Sequence, residues 1–114
     1  MPVTALNSNI GNVGTAPLTL AVTAVTVTST DSIVLPASTL RRSLTIFNRG
    51  TGLADLNFGA VAVAGQGLPI AAALSAGAQG GGYAWDVGSG CPQQSIHAVC
   101  AASVTTTLVV VEGT

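Results

Sequence analysis

The sequence predicts one all-β domain, a single antiparallel β-sandwich or jelly roll preceded by an irregular N-terminal arm. Three observations predict it. Val and Thr recur in short runs separated by Gly, Pro, Asn and Asp, the composition of strands and turns. No stretch carries the 3.6-residue apolar spacing of an amphipathic helix. Seven or eight such runs fit into a chain of 114 residues, the density of a sandwich or jelly roll, and no repeat of fixed period suggests a solenoid or propeller.

The elements follow in order. Residues 1–17 are read as the arm, because Asn7 to Pro17 is rich in Asn and Gly and has no large apolar cluster; residues 18–114 form the domain. Leu18 to Thr28 is the first strand. Its apolar set shifts from Leu18, Leu20 and Val22 to Val25 and Val27, which predicts a bulge or a bend between sheets, since a slip of one residue exchanges the faces. Ser32 to Leu35 is a short strand stopped by Pro36. Arg42 to Asn48 puts Leu44 and Ile46 on the core side, and the turn-forming Asn48-Arg49-Gly50-Thr51-Gly52 leads into Ala54 to Phe58, so these two strands are expected to form a hairpin. The Gly/Ala-rich stretch 59–82 is expected to hold one weak strand near Leu68 to Ala72. Tyr83, Trp85 and Val87 alternate with Ala84 and Asp86 in a further strand. Gln94 to Ala101 and Val104 to Glu112 are expected to close the chain as a tight hairpin around Ala102-Ser103.

Composition bounds function more sharply than any motif. Only 6% of residues are charged, against roughly 25% in ordinary soluble domains. There is no lysine, the bases are Arg41, Arg42 and Arg49, and the acids are Asp31, Asp55, Asp86 and Glu112. A net charge of -1 disfavours a polyanion partner, so no nucleic-acid role is expected. The polar coat must be Thr, Ser, Asn, Gln and Gly, which lose less than ions do when water is removed and pack readily against other proteins. A mean hydropathy of +0.64 raises the possibility of a membrane span. The most apolar window, Ala60 to Ala78, is interrupted by Gly65, Gln66, Gly67, Pro69 and Ser75, so no membrane partner is expected. The first residues show no basic stretch followed by an apolar one, hence no secretory signal, and assembly in a cytoplasm is the default.

Candidate chemistry is thin. His97 is the only histidine, and Ser95 is read as facing away from it, so no Ser/His pair is expected. Cys91 and Cys100 would lie roughly 30 Å apart on a straight strand at about 3.3 Å per residue, so free thiols are favoured over an intrachain bridge, an intermolecular bond or a metal. Gly77 to Gly82 lacks the Lys and following helix of a phosphate loop and reads as a flexible linker. Asp55 and Asp86 read as solvated strand-edge residues rather than a glycosidase pair. No cofactor, metal or catalytic residue is expected. Tyr83 and Trp85 on one strand face could stack on a sugar, although core or interface packing is the better use of such scarce aromatics. Arg41, Arg42 and Arg49 flank the strand from Ser43 to Asn48 and could make directional contacts to a partner's carboxylates.

One resemblance joins these pieces. Arg41-Arg42-Ser43-Leu44-Thr45-Ile46-Phe47-Asn48-Arg49-Gly50, then Leu56-Asn57-Phe58-Gly59, the aromatic strand Tyr83 to Asp86, Ile96-His97-Ala98-Val99 and the ending Val109-Val110-Val111-Glu112-Gly113 follow in a fixed layout. From Arg41 to Gly113 the chain thereby resembles the small β-sandwich structural proteins of tailed-bacteriophage virions, particularly head decoration or cement proteins. The resemblance implies a non-enzymatic virion component, assembled in the host cytoplasm, that binds the major capsid protein or other virion proteins and forms a homo-oligomer. A tail or head-tail junction protein is the neighbouring alternative, and a carbohydrate-binding module the alternative from another class.

Overall fold

The computed structural model describes residues 17–114 other than 87 and 89, so the expected arm lies outside the described residues except for Pro17. Among the described residues eight strands follow one another: β1 (Leu20–Val27), β2 (Ser32–Leu35), β3 (Ser43–Asn48), β4 (Ala54–Phe58), β5 (Leu68–Ile70), β6 (Gly82–Trp85), β7 (Ile96–Cys100) and β8 (Thr106–Gly113). They form two four-stranded antiparallel sheets. Sheet I has the order β1-β8-β3-β6 and sheet II the order β2-β7-β4-β5. First pairs with last, second with seventh, third with sixth and fourth with fifth, as if one long hairpin had been rolled up. That nesting is the jelly roll.

The core lies between the sheets and is supplied by alternate residues of each strand. Sheet I contributes Val27, Leu44, Ile46, Leu108 and Val110, and sheet II contributes Ala54, Leu56, Ile70, Ile96, Ala98 and Cys100, all essentially buried. Each large aliphatic among them adds about 1.5–3 kcal/mol relative to its exposed state.

Each of the eight strands read from the sequence is present with ends shifted by at most two residues, Val87 of the expected aromatic strand lying outside the described residues, and one strand and two connections differ from expectation. β1 has no bulge, for it pairs with β8 in one unbroken register from Leu20↔Gly113 to Val27↔Thr106. Its apolar residues change face because both faces of β1 are apolar, Val25 and Val27 pointing to the core and Leu20 and Val22 outward. The irregularity falls in β2 instead, between Ile33 and Leu35.

The two expected hairpins are corners between sheets. β3 lies in sheet I and β4 in sheet II; β7 lies in sheet II and β8 in sheet I. Asn48 is the reason the first corner holds. Its buried amide donates to the carbonyls of Gly52 and Ile70, and its Oδ1 accepts from the Gly50 amide and the Thr106 hydroxyl. The Thr106 bond fastens this corner to the second one. Gly50 and Gly52 are needed there for close approach rather than for positive φ: a Cβ on Gly50 would overlap Thr106, and one on Gly52 would lie 2.5 Å from the Thr105 carbonyl.

The glycine run before β6 is packed backbone rather than linker. The Gly80 amide donates to the Asn48 carbonyl, the Gly81 amide to that of Ala71, and the Gly81 carbonyl accepts from the Asn48 amide. A Cβ at Gly80 would sit 2.5 Å from the Ala71 oxygen.

Candidate functional site

The few ionic side chains fasten the chain to itself. Arg41 is 1% exposed, and its guanidinium binds Glu112 at 2.8 Å and the carbonyls of Pro36, Pro92 and Gln94. It thereby ties the end of β8 to loops bordering sheet II. Arg42 donates to the carbonyls of Pro17 and Thr114, drawing the two ends of the domain together. Arg49, exposed at the far end of β3, reaches the Gly77 carbonyl through Nε and Nη2. Clustered within nine positions of the sequence, the arginines are divided in space: Arg42 and Arg49 are separated by about 23 Å along an extended strand.

Tyr83 and Trp85 pair with Ile46 and Leu44, the core residues of β3, and so belong to the inner face of sheet I. The Tyr83 hydroxyl donates to the Pro69 carbonyl, and the Trp85 ring meets Phe58 of sheet II edge-on at 5.7 Å and stacks on Tyr83 at 6.2 Å. Sheet-to-sheet packing therefore occupies these rings. Trp85 keeps one partly exposed edge in a shallow groove with Phe58, Pro92 and Gln94.

The outer faces of the two sheets are unlike. On sheet II, Asp55 and its cross-strand neighbour Val99 face outward yet are only 5% exposed, and residues 59–67 fold over Asp55. That segment is held by polar ties: the Ala62 amide donates to Asp31, the Gly65 amide to Asp55, and the Asn57 side chain to the Val61 carbonyl. The Asp31 carboxyl lies below its ordinary range; burial pushes it up, but the Ala62 amide and His97 together pull it further down.

His97 joins the same system. Its Nδ1 is 3.0 Å from Asp31, and its Nε2 is 3.2 Å from the Ser95 hydroxyl. The structure thus overturns the expectation that Ser95 faces away: residues two apart share a face of a strand. Serine, imidazole and carboxylate in this order are the parts of a nucleophilic relay. Here they sit on a sheet face beneath the 59–67 cover, and neither described cleft contains any of the three. The Ser95 carbonyl accepts from the Gly59 amide and Asp31 from the Ala62 amide, so the trio helps to anchor the cover.

Among the described residues, none forms such a cover over most of the outer face of sheet I, although Val109 is only 9% exposed. Leu20, Val22, Ala24 and Thr26 of β1, Thr107, Val109 and Val111 of β8, and Ser43, Thr45 and Phe47 of β3 lie side by side there without one charge among them. Leu20 and Val22 are 61% and 70% exposed. At one end the face runs into an open cleft of about 420 Å³ bordered by Ala24, Thr26, Arg49, Gly77 and Thr107. Sequence reading missed this surface because it assigned Leu20 and Val22 to a bent core strand.

Both cysteines are free, and burial pushes both thiols up, away from reactivity. Among the described residues, no three potential ligands gather as a metal site, and no helix is long and apolar enough to cross a membrane. Compared with known proteins, the chain matches no protein-family model, no curated sequence and no solved structure.

Proposed function

We propose that this chain is a structural component of a tailed-bacteriophage virion, a decoration or cement protein that seats on the head shell and stabilises it without chemistry of its own. The observation that carries the reading is the uncharged, exposed outer face of sheet I, in a domain whose arginines are all bonded within the chain. A face with no ions loses little on desolvation, and removing apolar area from water returns about 25 cal/mol per Å². Binding of the assembled shell alone, repeated over many copies, stabilises it by mass action. The layout from Arg41 to Gly113 supports the same class. In this reading the partner is the major capsid protein, the place of action is the virion, and no cofactor, nucleic acid or membrane takes part.

The test is a quantitative mass-spectrometric inventory of purified particles. A decoration protein is present in a fixed, high ratio to the major shell protein and is lost when heads are stripped from tails only in proportion to the heads. Recovery at a few copies with the tails, or absence from particles, overturns the reading.

A further inference from the structure

Among the described residues β1 is an edge strand, and the hydrogen-bond pattern shows which of its groups no described residue uses. Thr19 and Thr114 exchange backbone hydrogen bonds, 3.2 and 3.0 Å. In an antiparallel ladder such pairs alternate, so Ala21, Thr23, Val25 and Val27 face β8, while Leu20, Val22, Ala24 and Thr26 turn their N–H and C=O groups to the open side. No described residue bonds to those outward groups.

The other three sheet edges are short or interrupted. β2 has four residues and a register shift, β5 has three residues with Pro69 at its centre, and β6 has four residues beginning with glycine. β1 has eight residues in one register, with no proline, glycine, bulge or charge, and thus lacks every device that keeps an edge from pairing.

We infer that β1 pairs antiparallel with β1 of a second copy across a two-fold axis, joining two four-stranded sheets into one continuous sheet. Three features select a second copy. With the axis perpendicular to the sheet beside Thr23, Leu20 meets Thr26 and Val22 meets Ala24, so each outward N–H finds an outward C=O and every side chain stays on its own face. Residues close to a two-fold axis meet their own kind, so a charge there would repel itself; Pro17 to Thr30 contains none. The partner edge must also be long, straight and neutral, which β1 itself is. Pairing brings the Leu20, Val22 and Val111 patches of both copies together on one side.

The test is sedimentation of the full chain from low to high micromolar concentration, with hydrogen exchange at β1. Val22→Pro removes an outward donor that no described residue of the same chain uses, and Ala24→Lys places like charges near the axis. The expected result is a dimer in which the Leu20, Val22, Ala24 and Thr26 amides are protected, with both variants folded and their dimer dissociation constants raised roughly tenfold or more. A chain that stays monomeric, or a dimer indifferent to both substitutions, overturns the inference. So does a monomer whose β1 amides are protected until residues 1–16 are deleted. Dimerisation is measured on the isolated protein, so a dimer that ignores phage heads leaves this inference standing while removing the shell assignment.

Discussion

The two outer faces of the sandwich solve the same problem in opposite ways. Sheet II turns Asp55, Asn57, Ser95, His97 and Val99 outward and then buries part of them under residues 59–67, using Asp31, Asp55 and Asn57 as hooks for backbone groups of the cover. Sheet I turns out Leu20, Val22, Ala24, Thr45, Phe47 and Val111; among the described residues nothing folds over them as on sheet II, and the three on β1 are exposed while the other three are half-buried. Polar groups in the first case are spent holding the chain's own loop. Their absence in the second leaves a face that has little to lose when another surface removes its water. The difference teaches where scarce charge goes in such a protein: into ties within the chain, so that the outward residues of β1, β3 and β8 stay neutral.

The comparison can be broken most severely where the sheets are joined. Arg41→Ala strips Glu112 and three carbonyls of a buried partner, and the expected loss is about 3–5 kcal/mol, measured by chemical denaturation. Arg41→Lys should recover only part of it, since an ammonium cannot reproduce the planar fork. A loss below 1 kcal/mol would mean that the guanidinium is not the clasp between the sheet ends.

On the covered face, Asp55→Ala removes the buried carboxylate that accepts from the Gly65 amide of the cover. A loss of about 2 kcal/mol is expected, with faster proteolysis within residues 59–67. Asp31→Ala should cost about 1 kcal/mol and also change the response to acid. Because the folded carboxyl lies below its ordinary value of 3.8, the unfolded chain takes up the proton first as pH falls. The contribution of Asp31 is therefore complete above that value and disappears as pH drops through the folded one. Melting curves between pH 6 and pH 3 should fall less steeply for Asp31→Ala than for the parent; identical slopes would detach Asp31 from the anchoring of the cover.

The smallest effects on stability belong to the bare face. Leu20→Thr and Val22→Thr keep β propensity and remove only exposed apolar atoms, so unfolding free energies should stay within about 0.5 kcal/mol of the parent. A larger loss would show that this face is already covered within the protein, and the contrast between the sheets would close.

Strand positions were legible because alternation and turn residues act locally: Leu44, Ile46 and Asn48 against Ser43, Thr45 and Phe47 declare both a strand and its buried face. Pairing was not legible. The turn residues at Asn48 to Gly52 serve a tight reversal and a sheet-to-sheet corner equally well, and only the buried Asn48 amide with its bond to Thr106, 58 positions away, decides for the corner. The clustering of three arginines within nine positions likewise hid that one is internal and the others sit at opposite ends of a strand. Ser95 and His97 could have been found from their spacing alone. The open face of sheet I could not, because Leu20 and Val22 are the same residues whether they meet a core or a partner.

In the proposed role, the neutral outer face of sheet I attaches the protein to a phage head. The most direct test of that role compares a single introduced charge on each face, Val22→Glu on sheet I and Val61→Glu on the cover of sheet II, both at exposed positions. Each folded variant is incubated with heads lacking the protein, and occupancy is read by cosedimentation at low and high salt. The account predicts that Val22→Glu abolishes occupancy at either salt concentration while Val61→Glu binds like the parent. Unimpaired binding by Val22→Glu, or loss with Val61→Glu alone, would contradict it.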